Sequence, residues 1–243
     1  MRCGILIIGS LLWDNKKNGR ADWRQTRLNV ADRVFVKAPF YYGRKSRSKT
    51  FTMVLRTGEP SARGVLVPCA KEFENIDDLI EEAKTLWQAE DPKATPGCIC
   101  KSWGCIGALF GPKLANSNLM EGWIKFFRKE KGQCLPVVDS DGKLKIPWPN
   151  IMDGQPADLD VILATATKPN VELPPTAQAI ADAWIEQCGG HERYFFNNVQ
   201  HGIRTSDDSE IWRKIEERSP RWLKAEAYKE AIEILRSEET ARG

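Results

Sequence analysis

The first 110 residues alternate short apolar runs with polar or Gly/Pro-containing loops, a pattern typical of β-strands. The run that starts at Ile5 breaks at Gly9-Ser10 and resumes at Leu11, which predicts a buried strand followed by a loop. Further strands are predicted for the segments FVKAPFYY, TFTMVLR, ARGVLVPC and CICKSWGCIGALF. We therefore expect a sheet-based core.

The clearest helical pattern begins at Asn75, a predicted N-cap, and continues to Glu90, where Asp91-Pro92 ends it. Its apolar positions form one stripe that is expected to face the core: Ile76, Leu79, Ile80, Ala83, Leu86 and Trp87. At about 100° per residue, Glu90 falls within this stripe, whereas Glu81 and Glu82 fall away from its centre. Glu90 is thus the carboxylate that the periodicity places closest to the core.

Glu90 is a candidate general acid–base group. Partial burial and the negative end of the helix dipole both disfavour a charged carboxylate at this position. A group in such a setting can take up a proton and then return it. The alternative is that the last turn frays before Asp91-Pro92 and leaves Glu90 solvated.

The second half of the chain is mainly helical. A helix is predicted from about Ser117 to Lys129, a strand for DLDVILATAT, and helices from Thr176 onward. Helix breaks are predicted at Gly189-Gly190, near Gly202 and at Pro220. The aromatic residues of this region have helical spacing and predict packing between helices: Trp184, Tyr194, Phe195, Trp212 and Trp222. We expect an α+β core over residues 1–173 and a helical C-terminal extension over residues 174–243.

Composition and charge exclude several classes of protein. Of 243 residues, 42% are hydrophobic, which suffices for a sizeable core. The formal net charge of +3 is too small to indicate a nucleic-acid partner. The N-terminal apolar run is too short to span a bilayer, and Met1-Arg2 lacks the flanks of a signal peptide. A cytoplasmic protein with neither nucleic acid nor membrane as partner is predicted.

The cysteines do not predict a metal site or a disulfide framework. Their number is seven, an odd count without a secretory signal, so reduced thiols are expected. Cys98, Cys100 and Cys105 have C-x-C-x4-C spacing but no second ligand pair at zinc-ribbon distance. Because they alternate along a strand-like segment, we expect them to fill space.

The loop at Gly9-Ser10 is a candidate binding site. Gly9 allows a bound group to approach the backbone closely, and the loop amides and the Ser10 hydroxyl can donate hydrogen bonds to a carboxylate or an oxyanion. An ordinary turn after a strand is the alternative.

The order of four motifs resembles the γ-glutamylcyclotransferase family: GSLLWD, GRKSRSKTFTMVL, ARGVLVP and LWQAE. In that family a YGSL-type loop follows the first strand. Here its positions are Ile8, Gly9, Ser10 and Leu11, with isoleucine in place of the aromatic residue. LWQAE resembles the segment in which the family's catalytic glutamate ends a helix. The segment AIADAWIEQCGGHERYFFNNVQHGIRTSDDSEI is similar to the helical C-terminal region of the ChaC-type branch.

This resemblance implies a fold and a reaction. The fold would be a mixed β-barrel surrounded by helices. In the reaction, the α-amine of a γ-glutamyl group attacks its own side-chain carbonyl and releases 5-oxoproline and a free amine or peptide. Glu90 would be the general acid–base residue, and the Ile8, Gly9, Ser10 and Leu11 loop would bind the substrate. Neither a metal nor another cofactor is needed.

A basic cluster, Arg44, Lys45, Arg47 and Lys49, has several interpretations. Arg44 follows YYG at a strand end, where the family often has a basic residue near its pocket, so the resemblance makes it a substrate-binding candidate. The alternatives are a solvated loop and contact with phosphates. The leaving amine, and hence the choice between peptide and amine substrates, stays open. Because Ile8 replaces the aromatic residue, a catalytically silent binding or interaction module is the alternative function.

Overall fold

The structure is a computed structural model that describes residues 1–16, 19–46, 50–114, 117–130, 135–186, 191–218 and 220–240. Its strands are β1 Cys3–Ile7, β2 Val34–Ala38, β3 Phe40–Lys45, β4 Phe51–Leu55, β5 Ala62–Pro68, β6 Cys100–Lys101, β7 Gly104–Phe110 and β8 Val161–Thr167. Its helices are α1 Arg20–Arg27, α2 Ile76–Glu90, α3 Asn118–Lys129, α4 Ala177–Glu186, α5 His191–Gln200, α6 Asp208–Arg218, α7 Pro220–Leu223 and α8 Lys229–Thr240. The predicted α+β class is confirmed.

Six of the described strands form an open mixed sheet in the order β2-β5-β1-β8-β7-β6. The central strand β1 pairs antiparallel with β5 and parallel with β8, so that Leu6 lies opposite Leu66 on one side and Ala164 on the other. The other two strands, β3 and β4, form a separate antiparallel pair. The mixed β-barrel expected from the resemblance is therefore not what the described strands form.

Pro39 separates β2 from β3. Proline has no backbone N–H to donate to a neighbouring strand. The segment FVKAPFYY, predicted as one strand, is thus divided. β2 stays at the edge of the large sheet, while β3 pairs with β4.

The predicted helix from Asn75 to Glu90 is confirmed. The Asn75 side chain accepts hydrogen bonds from the backbone N–H groups of Asp77 at 2.8 Å and Asp78 at 3.3 Å. Trp87 and three other predicted stripe residues are fully buried: Leu79, Ala83 and Leu86. The second predicted helix is also confirmed, with Ser117 as its N-cap.

Glu82 was predicted to lie away from the centre of the core-facing stripe, but its side chain is only 1% exposed. It packs against α1, a helix that was not predicted. Trp23 Nε1 donates to Glu82 Oε1 at 3.2 Å, and Arg27 Nε donates to Oε2 at 3.0 Å. α2 therefore has two buried faces, one toward the sheet and one toward α1. Burial raises the pKa of Glu82, and the hydrogen bonds and charge of its partners oppose that rise.

The C-terminal helices pack on the sheet-based part of the chain. Trp184, Phe195 and Trp212 are fully buried, which confirms the predicted aromatic packing for these residues. The Tyr42 hydroxyl donates to Asp208 Oδ1 at 3.1 Å and links β3 to α6. The predicted break near Gly202 falls between α5 and α6, and α7 begins at Pro220; the break at Gly189-Gly190 lies outside the described residues.

The cysteines at the edge of the sheet pack as strand residues. Cys100 on β6 lies opposite Cys105 on β7, and Cys105 is buried. Within the described part of the chain, no group of three His, Cys, Asp or Glu side chains is placed to hold a metal ion. None of the described helices is both long enough and apolar enough to cross a membrane.

Candidate functional site

A cleft of about 780 Å³ lies where β1 ends, beside the C-terminal end of α2. The turn between β6 and β7, the β3-β4 pair and α5 also contribute to its walls. All six residues named from the sequence line this cleft: Ile8, Gly9, Ser10, Leu11, Arg44 and Glu90. Residues that are far apart in sequence are thus brought to one site.

The loop after β1 is a short 3-10 turn over Ser10–Leu12. The backbone N–H of Leu12 donates to the Gly9 carbonyl at 3.2 Å, and the N–H of Asp14 donates to the Ser10 carbonyl at 2.8 Å. Leu11 and Leu12 are buried and anchor the turn. Gly9 has an extended backbone with φ of −176°, so its conformation does not require glycine. A close neighbour does require glycine at this position, because a Cβ at Gly9 would lie 2.9 Å from the Tyr194 hydroxyl.

Arg20 connects this loop to the end of α2, although it was not predicted as a site residue. Its side chain is fully buried. Its Nη1 donates to Ser10 Oγ at 3.0 Å, and its Nε donates to the Ala89 carbonyl at 2.9 Å. Its guanidinium also lies 3.4 Å from Asp14 Oδ2 and 3.3 Å from Glu90 Oε2. One buried cation therefore positions both the loop and the candidate acid–base residue.

Glu90 lies in the last turn of α2, and its side chain is 18% exposed. The alternative of a frayed and solvated last turn is thus not observed. The Arg20 guanidinium lies beside its carboxylate and holds it at the wall of the cleft. A carboxylate held in this way can accept a proton from a group that enters the cleft.

Arg44 also lines the cleft. Its Nη1 donates to the Lys168 carbonyl at 2.8 Å, and its guanidinium lies 5.7 Å from the centre of the Trp103 ring. Burial lowers the pKa of Arg44, and the negative charge of Glu90 opposes that change. A fully solvated loop is therefore not observed at Arg44. Arg47 and Lys49, the other end of the basic cluster, lie outside the described residues.

Trp103 gives the cleft a rigid aromatic wall. Its ring stacks on Trp87 of α2, with the ring centres 4.8 Å apart and the planes at 28°. The rim next to it carries Lys101, whose Nζ lies 2.5 Å from Asp91 Oδ2. The outer part of the cleft thus combines an aromatic face with basic groups, of which Lys101 is already paired with an acid.

Tyr194 also lines the cleft, although only packing between helices was predicted for it. Its hydroxyl accepts a hydrogen bond from the backbone N–H of Met53 at 3.1 Å. Its ring packs edge-on against Trp13, with the ring centres 6.1 Å apart. Burial raises the pKa of Tyr194 to about 12.

The chain was compared with protein-family models, with curated proteins and with solved structures, and no match was found in any of the three. The resemblance to the γ-glutamylcyclotransferase family therefore rests on the sequence segments named above.

Proposed function

We propose that this chain is a γ-glutamylcyclotransferase-like enzyme that converts a γ-glutamyl peptide or amine to 5-oxoproline and the free amine. One observation carries the proposal: the Gly9-Ser10 loop and Glu90 line one cleft, and Arg20 bridges them. Two motifs chosen from separate parts of the sequence thereby become neighbours. The proposal includes an open-sheet variant of the γ-glutamylcyclotransferase-like fold and a cytoplasmic location.

The mechanism assigns the proton transfers to Glu90. Its carboxylate takes a proton from the substrate's α-amine as that nitrogen attacks the γ-carbonyl carbon. A carbon–nitrogen bond forms and closes a five-membered ring. Glu90 then gives the proton to the leaving nitrogen, and the original amide bond breaks. Atoms and charge balance without a co-reactant, and one residue acts first as base and then as acid.

The loop from Ile8 to Leu11 would hold the γ-glutamyl group in the folded conformer that cyclises. In this conformer the amine is held next to the carbonyl carbon that it attacks. Such positioning accounts for a large part of the rate acceleration in reactions of this kind. Arg20 contacts both the loop and Glu90. Arg44 and Trp103 would contact the leaving group.

The experiment that tests this proposal is a product assay. The purified chain is incubated with glutathione, γ-glutamyl dipeptides, γ-glutamyl-ε-lysine and γ-glutamylamines, and 5-oxoproline is measured by mass spectrometry. The Glu90→Gln variant removes the proton acceptor and is expected to abolish product while keeping the fold. Glu81→Gln is the matched control, because Glu81 is exposed on the same helix.

Product from the wild-type chain and from Glu81→Gln, but not from Glu90→Gln, is the expected result. Retained activity in Glu90→Gln would remove Glu90 from the mechanism. No product from any folded sample would contradict the enzyme proposal and favour a catalytically silent module that binds a γ-glutamyl ligand or a protein.

A further inference from the structure

Tyr194 joins the C-terminal helices to the binding loop. It lies on α5, and its side chain reaches the cleft opposite Gly9. A Cβ at Gly9 would lie 2.9 Å from the Tyr194 hydroxyl oxygen but 3.8 Å from its Cζ. The phenol oxygen thus occupies the space that any larger residue at position 9 would fill with its side chain.

Tyr194 lines the cleft, and its hydroxyl can donate a hydrogen bond there. Because its oxygen accepts the N–H of Met53 at 3.1 Å, the phenol proton is left for a second partner. Burial raises the pKa of Tyr194 to about 12, and hydrogen bonding from Met53 and Asn198 opposes the rise. The phenol is therefore protonated at neutral pH and acts as a donor.

From Ile8 to Leu11, Ser10 is the residue with a side-chain donor of its own. Ile8 has no polar side-chain atom, whereas Ser10 Oγ accepts a hydrogen bond from Arg20 at 3.0 Å and keeps its own proton to donate. A substrate carboxylate is the group of a γ-glutamyl compound that accepts the most hydrogen bonds. A neutral phenol and the loop amides together form a suitable set of donors for it.

We propose that Tyr194 is a substrate-binding residue that donates its phenol proton to the α-carboxylate of a γ-glutamyl group held against Gly9. This inference rests on the proposed cyclotransferase function. It also assigns a role in the site to the C-terminal helices: they complete the binding loop with a residue from outside the four ordered motifs.

The first test compares Tyr194→Phe with the wild-type chain, using whichever γ-glutamyl compound of the screen gives the most 5-oxoproline. Loss of a hydrogen bond to a charged group is expected to raise KM about 10- to 100-fold. The value of kcat should change by less than about twofold, since binding of the carboxylate is the same in the ground state and the transition state. Tyr228→Phe is the matched control, because Tyr228 stacks on Phe196 and is not part of the cleft lining.

A second test uses the contact between Gly9 and Tyr194. Gly9→Ala places a methyl group against the hydroxyl and should raise KM by a similar factor. In the Tyr194→Phe background the same change should add less than about threefold, because the nearest remaining ring atom is at an ordinary contact distance. Additive effects of the two changes would contradict the proposed geometry.

The outcomes separate this inference from the proposed function. If the wild-type chain forms product and Tyr194→Phe has unchanged KM, only the role of Tyr194 is overturned. A loss confined to kcat would overturn the assignment to the α-carboxylate. A wild-type chain that neither forms product nor binds glutathione by calorimetry would overturn both proposals. Thermal unfolding of each variant shows whether a change in KM reflects the site or the fold.

Discussion

Arg20 Nη2 lies 3.3 Å from Glu90 Oε2, although four strands lie between their two helices in the sequence. Arg20 is fully buried, so its charge needs compensation from the Glu90 carboxylate and from its hydrogen bonds to Ser10 and Ala89. In turn, it fixes the position of the Glu90 carboxylate relative to the loop. The pair is therefore both a structural link and a determinant of the site's charge.

Replacing Arg20 with methionine is expected to lower the free energy of unfolding by about 3 kcal/mol, because the change leaves partly buried acids without their counter-charge. Product formation should be lost as well. Urea denaturation followed by circular dichroism measures the first effect. Arg33→Met is the control, because Arg33 is exposed. Wild-type stability in Arg20→Met would show that the buried cation does not hold the two segments together.

Arg44→Met is expected to distinguish between leaving groups. Arg44 faces the cleft beside Trp103, so it can contact a carboxylate on the departing amine. KM should rise about tenfold for γ-glutamyl amino acids. For γ-glutamylamines that lack this carboxylate, KM should change little.

Lys45→Met serves as the control for Arg44→Met, because Lys45 lies over the Phe51 ring and is not part of the cleft lining. Steady-state kinetics with matched pairs of substrates provides the measurement. An equal rise in KM for both substrate classes would argue against a contact between Arg44 and the leaving group.

The stability of the protein should depend on pH through Glu82. Burial raises the pKa of Glu82 above its usual value of 4.5, so the folded state binds the proton of the Glu82 carboxyl group more tightly than the unfolded state does. The resulting stabilisation is present below the unfolded pKa and is lost as pH rises through the folded pKa. In Glu82→Gln this loss is absent.

The expected result is that the stability of Glu82→Gln relative to the wild-type chain improves as pH increases from about 4 to 7, with a slope of at most about 1.4 kcal/mol per pH unit. Urea titrations at several pH values measure it. Glu81→Gln provides the comparison at an exposed position. A constant difference across this range would mean that Glu82 holds its proton equally in both states.

The cap of α2 allows a test that is independent of function. Asn75→Ala removes the acceptor of two backbone N–H groups and is expected to lower the free energy of unfolding by about 1 kcal/mol. Asn75→Asp keeps an acceptor and should restore most of this loss. Thermal and urea unfolding of the two variants provide the measurement. Equal destabilisation by alanine and aspartate would contradict the capping role.

The sequence predicted elements whose signals are local. α2 has a capping residue, an apolar stripe and a proline just beyond its end, and each of these acts within one element. α1 was missed because its buried face is mostly charged. Arg20, Trp23, Arg24 and Arg27 have the spacing of one helical face, yet only one of them is apolar. Without α1, the burial of Glu82 could not be predicted.

The candidate site was predicted in part for the same reason. The loop residues and Glu90 follow from local patterns and from the resemblance. Arg20 and Tyr194 were not identified, because their roles depend on how α1 and α5 dock. Tyr194 and Phe195 are neighbours with similar helical environments in the sequence, but one lines the cleft and the other is fully buried. Only the tertiary arrangement separates them.

The pairing of β1 with β8 also affects how the protein is made. Cys3 on β1 lies opposite Val161 on β8, so β1 cannot complete its pairing until β8 has been synthesised. The cleft needs Tyr194 from a still later segment. Until then the apolar β1 strand is open to other contacts, as is usual when a fold depends on distant pairings. The sheet and the cleft can therefore both be complete only after α5 has been synthesised.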